Sequence, residues 1–97
     1  MTYTINVRST ASQQLQEAYD YYESQQSGLG ISFLDAFHEI LDSIGRQPFI
    51  YQVRYGADVR AAVVKNYPYL VYYRINDSVV NVLAVFNTRQ NPQRLEL

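Results

Sequence analysis

Tyr67-Pro68-Tyr69-Leu70-Val71-Tyr72-Tyr73-Arg74-Ile75-Asn76-Asp77-Ser78-Val79-Val80-Asn81-Val82-Leu83-Ala84-Val85-Phe86 is the stretch that decides the fold. Tyr69–Ile75 is rich in β-branched and aromatic residues, which suit a pleated surface. Asn76-Asp77 fits a two-residue hairpin turn, because both residues tolerate the left-handed backbone that such turns require. Val79–Phe86 is almost free of polar residues, which predicts a central strand covered on both faces. Side chains alternate along a strand, so Tyr72 and Tyr73 face opposite sides of the sheet. One fills a core, and the other is free to meet a partner.

Two shorter segments extend the sheet upstream. Phe49–Val53 and Val59–Lys65 read as strands, joined by a turn near Tyr55-Gly56-Ala57-Asp58. Before them lie two helices. Leu15, Ala18, Tyr19 and Tyr22 recur at helical spacing and mark the buried face of the first, which runs to about Gln26. Thr10-Ala11-Ser12-Gln13 has the form of a capping box at its start. Ser27-Gly28-Leu29-Gly30 breaks the chain. A second helix spans about Leu29 to Arg46, with a wide stripe of Phe33, Leu34, Phe37, Ile40, Leu41 and Ile44, and Gly45 and Pro48 end it. The short link makes an antiparallel helical hairpin, in which Tyr19, Tyr22, Phe33 and Phe37 face the sheet. At the N-terminus, Tyr3, Ile5 and Val7 share one face of a strand. The polar tail from Asn87 ends the fold. The order β-α-α-β-β-β-β over residues 1–97 defines one α+β domain, with the helical hairpin packed on a mainly antiparallel sheet.

Composition narrows the function. The chain has 97 residues, 47% hydrophobic and 18% charged, which fits one folded domain and excludes a disordered tail. Cysteine is absent, so there is no disulfide, no Cys-based zinc site and no thiol nucleophile. The longest apolar runs, Tyr69–Tyr73 and Val82–Phe86, are five residues each, too short to span a membrane. The N-terminus lacks a signal peptide's apolar block, and the expectation is a cytoplasmic protein. The net charge of −1 hides an asymmetry. Residues 1–48 hold two cations against six anions, and residues 49–97 hold six against three. A basic second half suits a partner-facing surface.

Catalytic constellations are scarce. His38, the single histidine, lies on the second helix and reads as an ordinary surface residue. Glu17, Asp20 and Glu23 read as a solvated helix face rather than a metal site. Gly28-Leu29-Gly30 lacks the lysine and preceding strand of a phosphate loop. Arg60, Arg74 and Arg89, with Arg54 and Lys65, form the more informative set. Arginines on a sheet can clamp phosphates through paired N–H donors, or can guard strand edges against aggregation. No metal or cofactor is called for.

The ordered motifs resemble the RelE/ParE superfamily of toxins from type II toxin–antitoxin systems, over nearly the whole chain. The resemblance rests on Ala18-Tyr19-Asp20-Tyr21-Tyr22-Glu23 and on Gly28-Leu29-Gly30 followed by Phe33-Leu34. It continues through Ile44 and Pro48, Val59-Arg60-Ala61, the block Tyr67–Tyr73, and Ala84-Val85-Phe86-Asn87-Thr88-Arg89-Gln90-Asn91-Pro92. It implies a small toxin held inactive by an antitoxin encoded nearby, which wraps a partly disordered segment around it. It also implies one of two targets. RelE-like members cut mRNA on the ribosome, which would make Arg60 and Arg89 catalytic. ParE-like members bind DNA gyrase.

Three departures favour the ParE-like side. Asn87 stands where many relatives have histidine and cannot exchange a proton near neutral pH. No tyrosine follows Arg89. The net charge is poor for docking on RNA. On this reading Arg54, Arg60, Lys65, Tyr72, Arg74, Asn87 and Arg89 form the antitoxin- or target-binding set. A non-toxic relic that only binds an antitoxin is the third reading.

Overall fold

The computed structural model describes residues 2–97. It contains β1 (Thr4–Val7), α1 (Ser9–Gln25), α2 (Leu29–Arg46), a 3-10 turn (Pro48–Ile50), β2 (Val53–Tyr55), β3 (Val59–Val63), β4 (Tyr69–Asn76), β5 (Val79–Asn87) and a second 3-10 turn (Pro92–Arg94). The strands form one sheet in the order β1-β5-β4-β3-β2. β1 pairs with β5 in parallel, and every other pairing is antiparallel. The helical hairpin covers one face, as its apolar stripes require.

The long hairpin sets the centre. Tyr69–Asn76 pairs with Val79–Asn87 around a tight turn, with Asp77 at φ 53°. Strict alternation sends Tyr69, Val71 and Tyr73 to the helix side and Leu70 and Tyr72 to the outer side. In β5 the alternation breaks once. Tyr73 pairs with Val82 and Tyr72 with Ala84, so Leu83 is an extra residue, a β-bulge. Leu83 and Ala84 therefore both join the outer cluster, and Val85 returns to the helix-side core. Both faces of β5 are thus apolar and covered, as its composition demands.

The helix-side core includes Ala11, Ala18, Phe33, Phe37 and Ile44 from the helices. Tyr22, Phe33, Tyr67 and Tyr69 form an aromatic knot with neighbouring ring centroids 5.0–6.2 Å apart. Tyr19 is the exception to the expected buried face. It is half-buried and lies over Gly30 at the helix–helix seam, where a Cβ would meet its ring at 2.7 Å. Gly28, at φ 91°, supplies the left-handed turn. The Glu23 carboxylate then accepts from the Gly28 and Gly30 N–H groups at 3.0–3.1 Å and so satisfies free donors at the start of α2.

Three expectations are corrected. The capping box at Thr10–Gln13 does not form. Arg8 N–H donates to the Val82 carbonyl as the last rung beside β1, and the helix begins at once at Ser9, with no side-chain cap. Phe49–Val53 is not a strand. Pro48 fixes a 3-10 turn there, and only Val53–Tyr55 pairs with β3. The tail does not merely end the fold: Leu95 and Leu97 pack on the outer cluster, and Arg8 Nη1 donates to the Leu97 carbonyl at 3.3 Å.

Tyr73 is fully buried, and its hydroxyl donates to the Pro48 carbonyl at 2.5 Å. Burial pushes its pKa up to about 12, against the lowering influence of Arg60. The folded chain therefore holds this proton more tightly than the unfolded chain. Stability is whole below pH 10 and falls as pH rises from 10 to about 12. Denaturant unfolding across that range should show the loss, and Tyr73→Phe should flatten it. Phe37→Ala, which opens a cavity between α2 and the sheet, should destabilise the fold by about 3–5 kcal/mol in the same assay.

Candidate functional site

β1 stops at Val7, opposite Val82, so among the described residues the distal half of β5 has no strand on that side. A free edge would leave a backbone donor unpaired. Gln14 of α1 meets it, its Oε1 accepting the Val85 N–H at 2.8 Å. A cleft of about 480 Å³ opens at this edge. Its walls include Glu17, Tyr21 and Tyr22 of α1, Tyr69 of β4, and Asn87 and Arg89 at the end of β5.

The floor of this cleft is braced. Thr88 N–H donates to the Pro68 carbonyl at 2.7 Å, and the Thr88 hydroxyl donates to the same oxygen at 3.1 Å. Asn87 Oδ1 accepts the Arg89 N–H at 2.8 Å, which fixes the turn, and Asn87 Nδ2 reaches the Tyr69 hydroxyl at 3.5 Å. Burial raises the pKa of Tyr69, opposed by its contact with Asn87. Burial also raises the pKa of Tyr22, with Tyr69 adding to the rise and Arg89 opposing it. Both phenols stay protonated near neutral pH and can serve there as hydrogen-bond donors. The Arg89 guanidinium makes no ion pair among the described residues and supplies positive charge at the mouth.

The structure separates the basic residues that the sequence analysis grouped. Arg60 sits on β3 opposite Tyr73, while Asn87 sits on β5 opposite Tyr69. Those levels are about 13 Å apart along β4, at about 3.3 Å per residue, and Arg89 lies beyond the second. Arg60 is also engaged. Its Nη1 donates to the Phe49 and Tyr51 carbonyls at 3.3 and 2.5 Å, and its guanidinium lies 5.2 Å from the Phe49 ring centre. It holds the segment that connects α2 to β2. Arg74 pairs with Asp58 at 3.0 Å. Arg54 is exposed on β2, and Lys65 is exposed beyond β3. Tyr72 is only 9% exposed and belongs to the outer cluster. Asn87 and Arg89 alone share the cleft.

Gln14, Glu17 and Tyr21 were not legible as site residues. Their membership depends on where β1 ends, and no local pattern announces that. Among the described residues, no three of His, Asp and Glu converge as a metal-ligand set, and no helix is long and apolar enough to cross a membrane.

A helical hairpin thus covers a five-stranded sheet with one parallel edge strand, and a polar cleft opens at the end of β5. The chain belongs to the ParE toxin family of type II toxin–antitoxin systems, whose model matches residues 5–92. Among solved structures it resembles the chromosomal ParDE toxin–antitoxin system of P. aeruginosa, with a TM-score of 0.81 at 12% identity, covering 91% of this chain and 98% of that one. It also resembles the RelBE2 toxin–antitoxin complex of Mycobacterium tuberculosis, with a TM-score of 0.65 at 24% identity, covering 90% and 99%. A search of the curated proteins finds no match.

The two arginines should part in a stability assay. Arg60→Ala should destabilise the fold by about 1–3 kcal/mol, because it releases the carbonyls of the 3-10 segment. Arg89→Ala should stay within about 0.5 kcal/mol of the parent. Equal effects would contradict this division.

Proposed function

We propose that this toxin acts by binding a protein target, DNA gyrase, and that a co-encoded antitoxin neutralises it. The separation of Arg60 from Arg89 carries the reading. Cleaving RNA requires cationic donors and an acid or base within reach of one phosphate. Arg60 holds backbone carbonyls far from the cleft. Arg89 has beside it an asparagine already used in its own turn and two phenols whose proton affinities are raised. His38 lies on the helical layer. These features support a recognition cleft and do not favour a nuclease centre. The ParE family match points the same way.

The antitoxin reading draws on the β2–β3 edge. Val53, Tyr55 and Val63 leave apolar surface exposed there, with Val63 57% exposed. Arg54, which makes no ion pair among the described residues, contributes a cation on the same edge, and Lys65 follows β3. An extended segment with apolar and acidic residues is the chemistry that such an edge attracts. Both solved neighbours come from toxin–antitoxin systems, as their descriptions state.

The test is in vitro. The purified chain should inhibit DNA supercoiling by gyrase at stoichiometric concentrations and leave mRNA on programmed ribosomes intact. Arg89→Ala should weaken the inhibition about tenfold, since cationic interface anchors commonly contribute that much. Added antitoxin, co-purified from its neighbouring gene, should relieve it. Cleavage of ribosome-bound mRNA with gyrase unaffected would overturn the proposal.

A further inference from the structure

One wall of the cleft has the hydrogen-bond pattern of a strand that lacks its neighbour. Val64 N–H donates to the Tyr69 carbonyl, so the odd residues of β4 bond to β3 and the even ones, Leu70 and Tyr72, bond to β5. Their partners, Phe86 and Ala84, bond inward. Val85 and Asn87 therefore turn their backbone groups to the open edge. The parallel ladder with β1 has already ended there, its last rung being the Arg8 N–H on the Val82 carbonyl at 3.0 Å.

Gln14 fills the next position. Its Oε1 stands 2.8 Å from the Val85 nitrogen, where the carbonyl of a neighbouring strand would stand. The Val85 carbonyl and the Asn87 N–H follow on the same edge, and among the described residues no strand meets either. The Asn87 carbonyl is taken by the Gln90 N–H at 3.1 Å, so the free edge stops there. Three groups are thus on offer: an N–H, a carbonyl and an N–H. Two residues of an added parallel strand, two apart in sequence, serve all three with a carbonyl, an N–H and a carbonyl. An antiparallel strand would leave one of its own donors facing the occupied Asn87 carbonyl. Space for the added segment exists, because the cleft lies between Val85, Phe86 and Asn87 of this edge and Glu17, Ala18 and Tyr21 of α1.

Charge specifies one side chain of the occupant. Glu17 and Arg89 are the charged residues of the lining, and neither makes an ion pair among the described residues. Glu17 lies one turn past Gln14 on α1, while Arg89 lies beyond the end of β5. The Tyr69 hydroxyl, 3.5 Å from Asn87 Nδ2, adds a donor at the Arg89 end. A carboxylate, which only accepts, suits that end and is opposed by Glu17 nearer to Gln14.

We infer that this edge takes an extended segment of the protein that the cleft recognises, added to β5 as a short parallel strand, with an aspartate or glutamate beside Arg89. Gln14 is then a displaceable plug. It satisfies the Val85 N–H while the edge is empty and gives way to a backbone carbonyl. Main-chain bonds supply the affinity of such a contact, and alternate side chains supply its selectivity. The inference rests on the reading of the cleft as a protein-recognition site and not on the identity of the target. The β2–β3 edge, at the far side of the sheet, is a separate surface.

The probe is a synthetic peptide of about ten residues, alternating valine and threonine, with one glutamate near its C-terminal end to suit the parallel direction. N-methyl groups along one edge keep it from stacking on itself. Its control is N-methylated along both edges and has no donors to offer. Binding to the full chain is read by fluorescence anisotropy, and the bound residues by NMR shift changes. The first peptide should bind and shift the Val85 and Asn87 amides and the Gln14 side-chain amide. The control should bind at least about tenfold more weakly. Glutamine in place of the peptide's glutamate, or Arg89→Ala, should weaken binding about threefold or more, and the two changes together should cost no more than either alone. Gln14→Ala decides the role of Gln14. Removing a plug should tighten the peptide about two- to tenfold, the worth of one hydrogen bond no longer given up, whereas removing a ligand contact would weaken it. No binding, equal binding of the two peptides, shifts confined to the β2–β3 edge, or a Gln14→Ala chain that binds no tighter than the parent would overturn the inference. So would a short oligoribonucleotide that shifts these amides when the peptide does not. Peptide pairing at β5 by a chain that leaves gyrase active would retire that target and sustain the inference, and inhibition of gyrase without such pairing would do the reverse.

Discussion

One extra residue in the central strand organises this molecule. β5 carries an unbroken apolar run, Val82–Phe86, and a regular strand would send those residues alternately up and down with no change of phase. The bulge at Leu83 sends two neighbours to the outer face and brings Val85 back beneath the helices. Two apolar clusters result, one under the hairpin and one under the C-terminal tail. The parallel ladder with β1 reaches Val82 and stops where the bulge begins. The twist that a bulge adds suits the end of a pairing. Everything beyond it on that side is open edge, and the cleft exists because that edge is open.

The same geometry sorts the cations by role. Arg60 lies on the helix side at the level of Tyr73, where carbonyls of the Pro48–Tyr51 segment point inward. Its charge is matched by oxygen atoms of the protein itself. Arg89 lies past the other end of the sheet, on a turn fixed by Asn87, Thr88 and Pro68, with its side chain at the mouth and in no ion pair among the described residues. An arginine that supports the chain and an arginine that faces solvent look alike in sequence. Distance along β4 distinguishes them. The acidic helices and the basic strands then give the toxin two unlike surfaces, in keeping with the charge split along the chain.

Much of this was legible in advance, for physical reasons. The hairpin Tyr69–Asn76 with Val79–Asn87 shows in its residue types and its Asn-Asp turn. The stripe of Phe33, Phe37 and Ile44 shows in its period, and the ordered motifs carried the family. The misreadings share a cause. Phe49–Val53 has strand composition, but Pro48 and the Arg60 guanidinium take its carbonyls into a turn. Thr10–Gln13 has the form of a cap, but the last rung of the β1 ladder starts the helix two residues earlier. The tail reads as polar, yet Leu95 and Leu97 find an outer apolar cluster that exists because Leu83 is extra. Gln14 and Glu17 entered the cleft unannounced. In each case a tertiary contact decided, and local pattern could not register it.

On the function proposed above, a molecule with its cations so divided recognises a protein and does not cut RNA. The direct measurement is induction of the chain alone in bacteria, with DNA and protein synthesis followed by parallel pulse-labelling. DNA synthesis should fall first, with filamentation, while protein synthesis continues. An immediate fall in protein synthesis with DNA synthesis sustained would contradict the account and return Arg89 to the chemistry of the ribosome.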